Sequence, residues 1–116
     1  MKIAVVLPMF NEEKRIDQVL EALLKIPLPL ILVNDGSSDK TAEVINKRLQ
    51  GSRITLISHR INLGKGSAMR TGAEAAFSRG FEAVIFMDAD GQHKSSDLYK
   101  FIGKLNTKKY DVVLGS

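Results

Sequence analysis

Four short strand-like runs, each broken off by polar and turn-forming residues, constrain this chain more than any other feature. They are Ile3 to Leu7, Leu30 to Val33, Ile54 to Ser58 and Ala83 to Met87. Runs this short, rich in β-branched and aliphatic residues, read as strands, and the near-continuous apolar ones as strands buried on both faces. The intervals between them carry helical patterns. Ile16, Val19, Leu20, Leu23 and Leu24 fall at i, i+3, i+4, i+7 and i+8, an amphipathic stripe that Pro27 and Pro29 end. Asn11 is placed to cap that helix, with Glu12 and Glu13 in its first turn. A second helix follows the turn Asn34 to Asp39 and reaches about Leu49, with Asp39 serving its start and Gly51 closing it. A third carries Ala68, Gly72, Ala75 and Ala76, small side chains that let a helix lie close on a sheet. A fourth is expected from about Ser95, with Leu98, Phe101, Ile102 and Leu105 on one face, before a fifth strand at Asp111 to Leu114. This alternation specifies a single α/β domain: a Rossmann-like, doubly wound and mostly parallel sheet.

In such a sheet ligands bind beyond the carboxyl ends of the strands, and the polar punctuation falls at that edge. The fourth run leads straight into Asp88-Ala-Asp90-Gly91-Gln92-His93. Two carboxylates one residue apart repel each other unless a cation lies between them, and hard, oxygen-seeking ions of the Mg²⁺ or Mn²⁺ kind suit the pair. Taken alone, Asp88 reads equally as a strand-ending turn residue or helix cap. His93 is a polar neighbour rather than a ligand.

Composition narrows the function classes. Net charge is +4, with Lys and Arg dispersed along the chain, a weak preference for anionic ligands or a membrane surface. Aromatics are few and not interleaved with basic residues, which argues against nucleic acid. The chain has no Cys, which excludes disulfides and thiolate metal sites. The start, Met1-Lys2 and then a strand-like run broken at Pro8, is unlike a signal peptide. No apolar stretch approaches the roughly 20 residues of a membrane-spanning helix. A cytoplasmic location is expected, with association to the cytoplasmic membrane face as the variant.

Several nucleotide-binding signatures fail against this layout. Gly64-Lys65-Gly66 begins like a dinucleotide fingerprint, but Met69 stands where the third Gly belongs and the segment follows the third strand, not the first. There is no Gly-x₄-Gly-Lys phosphate loop. The fourth-strand acidic pair is too near the end for a phosphatase of the haloacid dehalogenase type. A receiver domain would want an Asp after Ile54 to Ser58.

Four segments together do form a pattern: Pro8-Met9-Phe10-Asn11-Glu12-Glu13, Val33-Asn34-Asp35-Gly36-Ser37-Ser38-Asp39, Asn62-Leu63-Gly64-Lys65-Gly66 and Met87-Asp88-Ala89-Asp90-Gly91-Gln92-His93. In order and spacing they resemble family 2 glycosyltransferases of the GT-A fold, above all the polyprenyl- and dolichol-phosphate sugar transferases. Phe10 stands where Tyr is commoner, and Asn34 where a first Asp is frequent.

The resemblance implies a donor site for a nucleoside diphosphate sugar, GDP- or UDP-linked. Pro8, Phe10 and Glu12 match the segment that holds base and ribose, and Asp35 matches a position that usually contacts the base. Asp88 and Asp90 match the pair that meets the ribose and the metal-bound diphosphate, and Gln92 a position that adds an oxygen ligand. Lys65 or Arg70 falls near the diphosphate, a solvated basic face being the equal reading for both. Plainer readings stand beside these: Phe10 as packing, Glu12 as a partner of the helix dipole, Asp35 as a turn residue. The resemblance also implies inverting transfer to a lipid phosphate, with the acceptor half and the catalytic acidic residue beyond Ser116. An antiparallel strand of that half would lie between the Ala83 strand and the last one. Its absence would leave an open apolar edge, hence a homo-oligomer. The runner-up is a non-catalytic nucleotide-binding or regulatory module working with a partner chain. A sugar nucleotidyltransferase is expected to carry a glycine-rich loop where this chain has Pro8-Met9-Phe10-Asn11.

Overall fold

A computed structural model describes residues 2–25, 27–49 and 53–87, and the backbone of two short strands at 99–101 and 114–115. The elements run β1 (Ile3–Met9), α1 (Ile16–Leu24), β2 (Leu30–Asp35), α2 (Thr41–Arg48), β3 (Ile54–His59), α3 (Lys65–Ser78), β4 (Ala83–Phe86), β5 (Tyr99–Phe101) and β6 (Leu114–Gly115). They form one sheet in the order β3-β2-β1-β4-β5-β6. The first four strands are parallel, β5 is antiparallel to β4, and β6 is antiparallel to β5.

The order explains where the helices lie. From β1 to β3 the chain steps outward in one direction, then crosses back to place β4 on the other side of β1. Right-handed crossovers in opposite directions put their helices on opposite faces. On one face α1 and α2 bring Ile16, Leu20, Leu23 and Ile45 against Val5, Leu7, Leu30 and Leu32. On the other, Ala68, Ala73 and Ala76 of α3 meet Ala4, Val6, Ile31, Val33, Val84 and Phe86. Inside β1 and β2, neighbouring residues thus serve opposite cores, which is why these runs are apolar without alternation. At Gly72 a Cβ would lie 2.3 Å from Val6 Cγ1, so α3 sits as close to the sheet as its small residues suggest.

Several expectations are corrected. β1 does not stop at Pro8 but pairs through Met9, with Pro8 opposite Val33 and Met9 opposite Asn34. The amide of Val5 bonds toward β2, and the carbonyl of Val6 faces the β4 side, where it accepts from Met87. Pro8 is in phase with Val6, so its missing N–H points to the β4 side, beyond the last paired residue Phe86. β2 likewise continues through Asn34 and Asp35, which are strand residues rather than a turn. The turn begins at Gly36, with φ of 69°. α1 starts at Ile16, with no side-chain cap, instead of directly after Asn11.

The helix expected from about Ser95 is overturned where it can be seen, because Tyr99–Phe101 is a strand paired with β4. Tyr-Lys-Phe alternates with the period of a strand, and pairing satisfies the backbone of β4 along its second edge. The remainder of that expected helix, and Asp111 to Val113 of the expected last strand, lie outside the described residues. β5 therefore occupies the edge on which self-association was expected to rest.

Candidate functional site

The carboxyl ends of β1, β2 and β3 release three loops that bind one another. Asn11, at φ 52°, leaves β1 and spans to the next loop instead of capping its own helix. Its Oδ1 accepts from the Ser38 amide at 2.8 Å, and its amide donates to Ser37 Oγ at 2.9 Å. Alongside, the Glu12 amide donates to Thr41 Oγ1 at 2.9 Å, the Glu13 amide to Asp39 Oδ2 at 3.2 Å, and the Lys40 amide to Glu13 Oε1 at 3.1 Å. Asp39 does serve the start of α2, since its Oδ1 accepts the Thr41 amide at 2.9 Å and also the Thr41 hydroxyl. Burial pushes the Asp39 carboxyl up, but the bonds from Thr41 and from the Glu13 amide together hold it below the ordinary carboxylate value.

Asp35 organises the second junction. It is 3% exposed. Its Oδ1 accepts from His59 Nδ1 at 2.8 Å and from the Leu63 amide at 2.9 Å. Its Oδ2 accepts from Asn62 Nδ2 at 3.0 Å and from the Gly64 amide at 2.8 Å. Burial is the largest single influence and raises its pKa; the bonds from His59, Leu63 and Gly64 outweigh it and leave the carboxyl below the usual range. A carboxylate offers about four lone-pair positions, and all four are spent inside the chain. A ring N–H of a base would have to displace one of these donors. Behind Asp35, His59 Nε2 lies 2.8 Å from Thr71 Oγ1 on α3. The neighbouring Asn34, also buried, accepts from the Ser37 amide at 3.2 Å and reaches Ser58 Oγ at 3.4 Å. The loops after β2 and β3 touch directly: a Cβ on Gly36 would fall 2.3 Å from the carbonyl carbon of Ile61.

Of the residues singled out in the sequence, Pro8 is buried in β1 and Phe10 stands 45% exposed at its exit. Glu12 is ion-paired with Arg15 at 2.9 Å. Lys65 is the exposed first residue of α3. Arg70 faces solvent and pairs with Glu74 at 2.9 Å. Asp88, Asp90, Gln92 and His93 lie outside the described residues. The strand that delivers them does not: β4 runs beside β1, and the Met87 amide donates to Val6 O at 3.1 Å. The gap between β1 and β4 is where the chain reverses direction across the sheet, the switch point at which open α/β sheets bind ligands. Among the described residues no group of three His, Cys, Asp or Glu side chains could hold a metal ion.

Sequence reasoning missed His59 and Thr71, and gave Asn62 only as the start of a segment, with no role of its own. The traces they left were slight: a His closing a strand at the ligand edge, and a Thr on a helix whose neighbours are Ala and Gly.

Residues 4–116 match the family Glycosyl transferase family 2. The chain belongs to that family. Among curated relatives, the UDP-N-acetylglucosamine–dolichyl-phosphate N-acetylglucosaminyltransferase of Methanococcus voltae is 31% identical over 98% of this chain and 51% of its own length. A dolichyl-phosphate β-glucosyltransferase of Trichomonas vaginalis is 35% identical over 98% of this chain and 39% of its own length. The chain thus spans about half, or less, of the length of the curated relatives it matches. Among solved structures, Staphylococcus aureus TarS 1-349 in complex with UDP-GlcNAc superposes with a TM-score of 0.67 at 28% identity, covering 78% of this chain and 27% of that one. The mannosyltransferase PcManGT of Pyrobaculum calidifontis, in complex with GDP-Man and Mn²⁺, has a TM-score of 0.66 at 24% identity, covering 77% of this chain and 27% of that one, a likeness of fold. The α/β architecture expected from the sequence is therefore that of GT-A glycosyltransferases.

Proposed function

We propose that this chain forms the nucleotide-sugar site of a family 2 glycosyltransferase whose acceptor is a polyprenyl or dolichyl phosphate. The observation that carries the reading is the convergence of the β1, β2 and β3 exits beside the strand that leads into Asp88 and Asp90. Relatives named for dolichyl phosphate support the acceptor class, and neighbours crystallised with UDP-GlcNAc or GDP-Man support the donor class.

In this reading Pro8 and Phe10 line the base and ribose, with Glu12 beside them. Lys65 approaches the diphosphate from the start of α3. Asp35 serves the base side from behind, through the loop it fastens, its lone pairs being already engaged. Asp88, Asp90 and Gln92 supply two carboxylates and an amide oxygen, hard donors that fit Mg²⁺ or Mn²⁺; crystals of related folds contain Mn²⁺. When bound, the cation offsets charge on the leaving diphosphate. Transfer is an inverting displacement: an acceptor phosphate oxygen bonds to the anomeric carbon as the bond to the diphosphate oxygen breaks. That acceptor is already anionic, so a strong general base matters less than for a hydroxyl. Among the described residues no helix is long and apolar enough to cross a membrane. We place the site at the cytoplasmic membrane face, where a lipid phosphate presents its head group.

Calorimetric titration of UDP and GDP, with Mn²⁺ and with chelator, tests the reading in wild type and in Asp88→Ala/Asp90→Ala. Binding of one nucleotide is expected, stronger with Mn²⁺ and reduced by either chelator or the double substitution. Equal affinity in all conditions removes the metal role, and no affinity for either nucleotide removes the reading.

A further inference from the structure

The ionised Asp35 carboxylate can only accept hydrogen bonds, so the His59 nitrogen 2.8 Å away must carry a proton on Nδ1. In the neutral imidazole this leaves Nε2 as an acceptor, and the Thr71 hydroxyl stands 2.8 Å from it, able to donate. The ring is therefore held from both sides. Asp35 closes β2, His59 closes β3, Thr71 rides on α3, and the Asn62–Gly64 loop joins the last two. Four donors from two segments meet on a single carboxylate, at the edge of the sheet and not in its apolar core.

We propose that His59 and Thr71 are positioning residues for the nucleotide site, a role that rests on the function proposed above. Thr71 holds the imidazole, the imidazole holds Asp35, and Asp35 draws the Leu63 and Gly64 amides inward. Gly64 is the residue before α3, so this chain of bonds sets the course of the backbone into Lys65. It also sets the Ile61–Asn62 segment that lies against Gly36. The loops that flank the nucleotide are thereby ordered before it arrives, which lowers the entropy lost on binding. An apolar cluster would hold the strands together equally well; it would not aim two backbone amides.

The test uses the full chain, with UDP and GDP in the presence of Mn²⁺ as probes. In His59→Ala, loss of a bond to a charged group should raise the Kd of the bound nucleotide about tenfold, and Thr71→Val should raise it about threefold. His59→Asn keeps an N–H near the Nδ1 position, and Thr71→Ser keeps the hydroxyl; each should recover most of its loss. Nitrogen-15 NMR at mildly alkaline pH should show His59 protonated on Nδ1. Hydrogen exchange at Leu63 and Gly64 should be slow in wild type and fast in His59→Ala, with or without nucleotide. Unchanged nucleotide affinity in folded His59→Ala and Thr71→Val overturns the positioning role and leaves the nucleotide site standing. Failure of both conservative variants to rescue also overturns it, since packing alone would then account for the losses. A wild type that binds neither nucleotide, while keeping the tautomer and the slow amides, overturns the proposed function and this role with it.

Discussion

Single residues at the ligand edge carry more hydrogen bonds than their sequence neighbours suggest. Asp35 accepts four, from partners 24 to 29 positions away. Asp35→Asn turns one oxygen into a donor facing other donors while the site stays buried. It should cost about 2–4 kcal/mol of stability, read by urea unfolding; a variant as stable as wild type would show that these bonds add nothing to the fold. Phe10 contrasts with it, being large, aromatic and 45% exposed. Phe10→Ala should leave unfolding nearly unchanged yet weaken nucleotide binding by about 1–3 kcal/mol, the range of base–aromatic stacking. Titration calorimetry separates the two effects.

Among the elements, α3 is the most narrowly specified by its contacts. Its small residues face Val6 and Val33, and the space for a Cβ at Gly72 is already taken by Val6 Cγ1 at 2.3 Å. Val6 is β-branched and inside a strand paired on both sides, so it cannot swing away. Gly72→Ala should therefore destabilise by about 1–3 kcal/mol despite the better helix propensity of Ala, as overpacking does. A rise in melting temperature would mean that α3 shifts freely on the sheet. Between α1 and α2, Arg48 reaches Asp17 at 3.2 Å and Glu21 at 2.6 Å. These are exposed pairs, and Ile16, Leu20 and Ile45 beneath them hold the helices.

For the molecule as a whole, acid should act through the loop junctions. The folded-state pKa values of Asp35 and Asp39 both lie below the ordinary value. Between the folded and unfolded pKa values the unfolded chain binds more protons, so stability falls as pH falls. The contribution is fully present above the ordinary carboxylate value, near pH 4, and is lost as pH drops through the folded values. Urea unfolding followed from neutral pH downward should show that loss, and Asp35→Asn and Asp39→Asn should each flatten it. A wild-type profile with no slope below about pH 4 would contradict the assignment.

Much of the fold was readable without coordinates. β1, β2 and β4 were legible because burial on both faces demands unbroken apolar runs, and α1 because burial on one face demands a stripe at helical spacing. The close approach of α3 was legible in its Ala and Gly residues. The family was legible because four polar segments follow the strand-like runs in the order the resemblance calls for, and the match over residues 4–116 agrees with it. What the sequence could not show was where those polar side chains would spend their hydrogen bonds. Asn11 was expected to cap its own helix and instead accepts from Ser38; residues 99–101 were expected in a helix and instead extend the sheet beside β4. Burial follows a local period and can be read along the chain. The pairing of a lone pair with a donor, or of a strand with a free edge, depends on which distant segments meet, and only the tertiary structure decides that.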